Sequence, residues 1–434
     1  MIQEFYMDFY GSGIDRIFKN KEEGIIEFVS DLVKIPTVNS PPVGNELPGQ
    51  LFFMEACRKA GFEIHTVSPE KIRHDSENGI FLEDRSFVNR HNVIGIWKGT
   101  GSGRSLLLSG HMDVAPEEPF PWKMTSPFKP LIKNRKLYGR GSADMKGGLT
   151  AAFMAARLLK ETGWIPAGDI MVESVVDEEF AGANGTIASR LAGFNADFAI
   201  NPEPTGLVLY PASLGALILK ITVSGISGMP YTGVEIYNPA YALAKLIGLM
   251  AEYEKIRNEN EPSHELWSSV PYKRSVMITK VKAGEAREHG QLGLPIDAWL
   301  EAVIQTFPGE TEESSMETFS GFISEKTNGL PEFGANKAII EREYRYVEPS
   351  VCVPDNGGIE VFKNSCRNIT GNEVKIAGAP FSSDLSAFYK YGSTPAVHFG
   401  PAGDNLHGPD EWVDIDSIIT VSKVFAQMIV DWCG

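Results

Sequence analysis

Short continuous apolar runs alternate along the chain with longer stretches whose apolar residues recur every three or four positions. The first rhythm predicts buried strands and the second amphipathic helices. Residues 14–34 place Ile17, Ile25, Ile26, Phe28, Val29, Leu32 and Val33 on one broad face and predict a helix that Pro36 ends. A second helix is predicted over 48–60, and strands about Ile64 and Val67, over 92–97 and over 105–108. Between them, residues 69–91 are charged and irregular, the pattern of an inserted hairpin or a mobile loop. Leu149, Ala152, Phe153, Ala156 and Leu159 stripe the next helix, and strands follow over 169–176 and 196–200. Strand and helix alternating in this way predict an α/β domain.

From about residue 213 the rhythm changes. A strand over 217–223, a helix over 238–257 with Leu243, Leu246, Ile247, Met250 and Tyr253 on one side, and strands over 275–281 and 299–306 predict a compact α+β insert. A helix and a Gly/Pro-rich linker over 309–335 lead back. A helix over 357–370, a strand over 396–399 and a closing helix over 415–431 resume the α/β pattern. The expected architecture is a larger α/β domain made of 1–212 and 331–434, with a mainly parallel sheet between helices. It is interrupted by a smaller α+β domain at 213–330.

Composition narrows the class. The chain is 43% hydrophobic and 22% charged over 434 residues, enough for two or three domains with full cores. No apolar run approaches the roughly 20 residues of a membrane helix, and Met1–Phe5 opens no basic-then-apolar secretory pattern. Forty basic against 56 acidic side chains, a net charge of −16, speak against nucleic acid. The four cysteines, Cys57, Cys352, Cys366 and Cys433, form no CxxC pair and read as buried thiols of a reducing compartment, so a cytoplasmic location is expected.

The candidate chemistry sits where apolar runs end. Leu106-Leu107-Leu108 runs into Ser109-Gly110-His111-Met112-Asp113, and ligands gather at the carboxyl ends of strands in α/β proteins. Gly139-Arg140-Gly141-Ser142-Ala143-Asp144-Met145-Lys146 places Asp144 just before a helix, where it reads equally as an N-cap. The strand over 169–176 ends in Asp177-Glu178-Glu179. Glu203, between Pro202 and Pro204, has little backbone freedom, which suits a ligand or a rigid turn. His407 lies in a Gly/Pro-rich loop after a strand, as His111 does, whereas His398 inside an apolar strand reads as a core histidine. Imidazoles and carboxylates without thiolates suit Zn²⁺, and also Mn²⁺ or Co²⁺.

On these residues, taken in order and together with Glu203-Pro204-Thr205 and Asp410-Glu411, the chain resembles the zinc-dependent aminoacylase/carboxypeptidase family. That family includes acetylornithine deacetylase, succinyl-diaminopimelate desuccinylase and glutamate-releasing carboxypeptidases. The resemblance implies that His111 and Glu203 hold one divalent metal, Glu179 and His407 the other, and Asp144 bridges them. It implies that Asp113 hydrogen-bonds the free ring nitrogen of His111 and that Glu178 is the general base. It also implies that the insert is a lid through which the chain forms a homodimer or higher homo-oligomer.

Two positions of the insert depart from the family. Met229 stands where a substrate-touching histidine is expected, and Gln305 ends a run where the family carries Asp-Ile-Arg. Methionine cannot donate a hydrogen bond to an oxyanion. The implied activity is hydrolysis of the amide C–N bond of an N-acyl amino acid or small peptide-like substrate. The altered lid leaves a second reading open, an aminohydrolase displacing the amino group of an aromatic or other unusual amine. A third reading, a non-catalytic metal-binding scaffold, leaves the free carboxylate of Glu178 without a task.

Overall fold

The structure, a computed structural model, describes residues 12–74, 76, 80–117, 120–179, 183–226, 233, 236–260, 264–268, 274–284, 295–334, 337–352 and 357–434. The chain divides into two compact units. The first takes the chain up to Ala212 with Val351–Ala379 and Asp384–Gly434, and the second takes Ser213–Ser350 with Pro380–Ser383.

The first unit is built on a six-stranded sheet. Its strands are β1 (Glu63–Val67), β2 (Asn92–Trp97), β3 (Leu106–His111), β4 (Ile170–Val175), β5 (Phe198–Asn201) and β6 (Ala396–His398), in the spatial order β6-β5-β3-β4-β2-β1. The neighbours among β6, β5, β3 and β4 pair parallel, while β2 and β1 add an antiparallel edge. Continuous apolar runs form these strands because both faces are covered. Leu106 and Leu108 join a core with Phe28, Phe53, Phe153 and Phe425 on one side, and Leu107 joins Ile94, Met171, Ile187 and Phe388 on the other. Each such burial contributes roughly 1.5–3 kcal/mol before the ordering cost. The charge inside β4, Glu173, is matched by Arg190 and by the hydroxyl of Ser109, each at 2.7 Å.

The second unit is an antiparallel sheet in which Ala212–Ser224 lies between Asp297–Thr306 and Ile339–Arg342, with Val276–Ala283 beyond Asp297–Thr306. Helices Pro239–Asn260 and Glu312–Thr327 bury Leu243, Leu246, Met250, Phe319 and Ile323 against Leu219, Ile221 and Leu300. Ile247, expected on the same apolar side, is exposed. Among the described residues no helix is long and apolar enough to cross a membrane.

Three expectations change. The helix expected over 14–34 is two helices, Ser12–Phe18 and Glu22–Lys34, separated where Asn20 takes a left-handed conformation (φ 61°). Residues 331–350 belong to the second unit, because Ile339–Arg342 adds a strand alongside Leu219–Thr222. Within 69–91, a short helix, Pro69–His74, precedes a stretch whose Arg85 and Arg90 are buried.

This topology sends the carboxyl ends of β3, β4, β5 and β6, four adjacent strands, to one edge of the sheet. The backbone leaving β5 is gripped from two sides. A Cβ on Gly148, in the helix Gly147–Glu161, would lie 1.8 Å from the Pro202 carbonyl oxygen, and one on Gly400 would lie 2.2 Å from that of Glu203. Gly148→Ala is therefore expected to lower the stability of the first unit by about 1–3 kcal/mol, the usual cost of overpacking. Gly24→Ala, whose Cβ would meet nothing within 4 Å, serves as the control that does not lower it. Urea unfolding of the two variants checks the contrast.

Candidate metal centre

His111 ends β3 with its ring fully enclosed. Its Nδ1 lies 2.8 Å from the main-chain oxygen of Asp113, an acceptor that fixes the proton on Nδ1 and leaves Nε2 as the ligand atom. The expected partner was the Asp113 carboxylate, which lies 3.9 Å from Nδ1. That carboxylate faces the other way, accepting the backbone N–H of Glu178 and of Glu179, each at 3.1 Å, and the Asn39 amide at 2.9 Å. A carbonyl two residues along the strand exit reaches the ring, and the carboxylate is thereby released to hold the acidic turn after β4.

Asp144 lies between the two imidazoles. Its Oδ1 is 3.0 Å from His111 Nε2, and its Oδ2 is 3.2 Å from His407 Nε2. Glu203, delivered by the exit of β5, places Oε1 3.7 Å from His111 Nε2. Glu179 places Oε2 2.9 Å from His407 and anchors Oε1 on the backbone N–H of Ala115. Ligand atoms of His111, Asp144 and Glu203 lie within 4.8 Å of one another, as do those of Asp144, Glu179 and His407. The two groups share Asp144 and nothing else. Glu178 stands beside them and in neither, its Oε2 3.9 Å from His111 Nε2 and its side chain partly open.

Glu411 assembles this arrangement from outside. Its carboxylate accepts the backbone N–H groups of Gly141, Ala143 and Asp144 and an Arg140 nitrogen at 2.9 Å. Arg140 also donates to the main-chain oxygen of His407 at 2.9 Å. The loop carrying Asp144 and the loop carrying His407 are thus one hydrogen-bonded body, with Arg140 as the buried ion-pair partner of Glu411. Asp410 ties in a third loop by accepting the N–H groups of Lys123 and Met124. The Lys146 ammonium donates to the carbonyls of Leu32 and Ile35 at the end of the helix Glu22–Lys34, and burial lowers its pKa to about 7.

The protonation balance of the cluster bears on what it can bind. Burial raises the carboxyls of Glu178 and Glu203 well above the ordinary range and raises Glu179 too. Burial works against protonating His111 and His407. The hydrogen bonds to Asp144, joined by Glu179 at His407, nevertheless raise both, His407 to about 11. Burial also opposes ionisation of Asp144, yet the bonds from both imidazoles hold its carboxyl below the usual carboxylate range. Enclosed acids outnumbering imidazoles, with ligand atoms grouped around two points, fit two divalent cations.

His398 belongs to neither group. It is enclosed in β6, where burial lowers its pKa to about 3, and it bonds the Asn201 backbone, consistent with a core histidine. Met229 lies outside the described residues. In the second unit, the Gln305 amide donates to Pro380 O at 3.3 Å and accepts from Ser275 at 2.6 Å. Sequence reasoning passed over Asn39, Glu46, Arg85, Arg90 and Asp384. Asp384, next to Ser383, accepts from Asn201 at 2.8 Å and from Thr186, and its charge bears on Glu178 and Glu203. The available signal was Asp384 just before a helix, a position that also reads as a cap.

Parallel-strand exits that gather imidazoles and carboxylates around a shared aspartate define a metal-dependent hydrolase. The chain belongs to Peptidase family M20/M25/M40, whose profile matches residues 107–431. Its curated relatives include the N-formyl-4-amino-5-aminomethyl-2-methylpyrimidine deformylase of Bacillus subtilis (strain 168), 27% identical over 79% of this chain and 83% of that one. The succinyl-diaminopimelate desuccinylase 2 of Ruegeria sp. (strain TM1040) is 24% identical over 94% of this chain and 95% of its own. Among solved structures, the di-peptidase Dug1p of Saccharomyces cerevisiae matches with a TM-score of 0.78 at 16% identity, covering 97% of this chain and 98% of that one. Human carnosine dipeptidase 1 matches at 0.71 and 14% identity, over 97% and 99%. The chain is a hydrolase acting on amide C–N bonds.

Two outcomes are expected for metal binding. His111 and His407 hold their protons above the ordinary histidine range, so a cation must expel them, and its affinity rises with pH. Calorimetric Zn²⁺ titration in buffers of differing ionisation enthalpy at pH 7 should register proton release. Asp144→Ala should lower metal content at both positions and abolish activity, measured by elemental analysis and by assay.

Proposed function

We propose that this hydrolase is an N-deacylase that cuts the amide bond between an acyl group and a small amine. His111 and Glu203 would hold one divalent ion and Glu179 and His407 the other, with Asp144 common to both groups and Zn²⁺ the expected ion. The bound ions supply Lewis acidity toward the amide carbonyl and toward water. The chain's own acid–base work falls to Glu178. Its carboxylate takes a proton from the attacking water as the water oxygen bonds to the acyl carbon. It then passes that proton to the amine nitrogen as the C–N bond breaks, leaving a carboxylic acid and a free amine.

The observation that carries this reading is the position of Glu178, next to both ligand groups and outside each. Glu178 and Glu179 are neighbours in sequence but differ in environment. Glu179 is 2.9 Å from His407 and committed to a ligand group, whereas Glu178 keeps a partly open carboxylate whose proton affinity is raised by burial. The deacylating activities in the names of the curated relatives, a deformylase and a desuccinylase, support a small acyl group on an amine.

The test is a panel of N-formyl, N-acetyl and N-succinyl amines, dipeptides and aromatic amines, assayed with added Zn²⁺, Mn²⁺ or Co²⁺. Release of a carboxylic acid with a free amine is expected. Release of ammonia from an aromatic amine, with no acyl amide cleaved, would overturn the reading. Glu178→Gln should keep its metal content and lose about 10²–10⁴-fold in kcat, the usual contribution of general acid–base catalysis.

A further inference from the structure

Behind the acidic turn lies a buried charged cluster that the proposed chemistry does not use. Asp177, the residue before the Glu178–Glu179 pair, is fully buried with a left-handed backbone (φ 60°). For a residue with a Cβ that conformation costs roughly 1–2 kcal/mol, so something must hold it. One carboxylate oxygen accepts from Arg90 at 3.0 Å and from Asn39 at 3.2 Å, and the other accepts from Asn184. Arg85 Nε lies 3.7 Å away.

Arg90 is itself gripped. Its Nε lies 3.0 and 2.8 Å from the two oxygens of Glu46, also buried, and a second nitrogen forks onto the same carboxylate. The Asn39 amide joins Asp177 to Asp113, whose carboxylate collects the N–H groups of Glu178 and Glu179. Three consecutive residues are therefore held from behind, residue 177 by its side chain and residues 178 and 179 by their backbone. From that turn Glu178 points toward His111 and Glu179 toward His407.

We propose that Arg90, anchored by Glu46, is a positioning residue for the Glu178–Glu179 pair: by bonding Asp177 it sets the turn that aims one carboxylate at the reacting water and the other at the metal ligand His407. The planar guanidinium matters because it reaches Glu46 and Asp177 at once. A lysine carries the same charge on a single nitrogen and cannot make that fork.

The proposal rests on the reading of Glu178 as proton carrier for its kinetic arm only; its metal arm stands apart from that reading. The experiment compares full-length wild type, Arg90→Lys, Asp177→Asn and the double variant. Zn²⁺ affinity is read by calorimetry, and kcat and KM are read at saturating Zn²⁺. Each single variant is expected to weaken Zn²⁺ binding at the position of Glu179 and His407 by about 10-fold, the lower end of the range for groups that bond a ligand directly, because both act on Glu179 through the turn. Each is also expected to lower kcat with KM within twofold. The double variant should be no worse than the worse single one, because both act through one contact. A lowered melting temperature with Zn²⁺ affinity and kcat within twofold of wild type would overturn the proposal, and so would additive losses. If Arg90→Lys does not fold, Asp177→Asn carries the same expectations. If wild type cleaves no acyl amide, the function reading fails, while the Zn²⁺ arm still decides the role of Arg90.

Discussion

A single carboxylate, that of Asp144, faces two imidazoles with its two oxygens, and this sharing is the constraint that the first unit serves. Two independent groups of side chains could drift relative to one another. Two groups that share a residue cannot, so the four strand exits that feed them must stay in register. A parallel sheet supplies that register cheaply, because adjacent strands end along one edge and their exits are neighbours before any loop is shaped. Asp144 comes from none of those exits. It is fixed to the rest through Glu411 and Arg140, whose bonds join its loop to the one carrying His407. Removing one member of that buried ion pair would strand the other without a counter-charge, which is costlier than never having had the pair.

The grouping of these side chains was legible because the candidate residues stand where apolar runs end. His111 ends, and Glu203 closely follows, strands whose continuous hydrophobicity marks them as buried on both faces, and the mainly parallel sheet follows from the same runs alternating with striped helices. The exchange of partners at Asp113 was not legible, since a carbonyl and a carboxylate of the same residue can each reach an imidazole two positions away. Arg85 and Arg90 were missed for a plain reason. A charged, irregular stretch reads as solvent-facing, and nothing in local pattern reveals that its guanidinium groups have buried carboxylates waiting for them. The strand Ile339–Arg342 was missed because it is short, mostly exposed and placed after Gly and Pro, where a linker is the ordinary expectation. Asn20 breaks a helix whose apolar stripe runs on across it, which periodicity alone does not register.

The cluster also illustrates how a functional site strains the economy of folding. Glu179 and Glu203 are enclosed acids whose ionisation burial opposes. Divalent ions reverse that balance, so metal affinity and the stability of the strand exits are parts of one free energy. Behind the site, Asp113, Asn39, Asp177 and Glu411 direct their hydrogen bonds to backbone N–H groups, to one another and to Arg90, Arg140 and Asn184. They hold shape while the inner ligands hold charge.

The two ligand groups differ in when the ribosome can finish them. His111, Asp144 and Glu203 all precede the second unit, whereas His407 comes only after the whole of Ser213–Ser350 has been made. β6, at the edge of the sheet beside β5, arrives equally late. The residues of one candidate group are therefore all made long before those of the other. Glu411, which holds the loop of Asp144, arrives later still than His407, so the geometry of either group waits for the end of the chain.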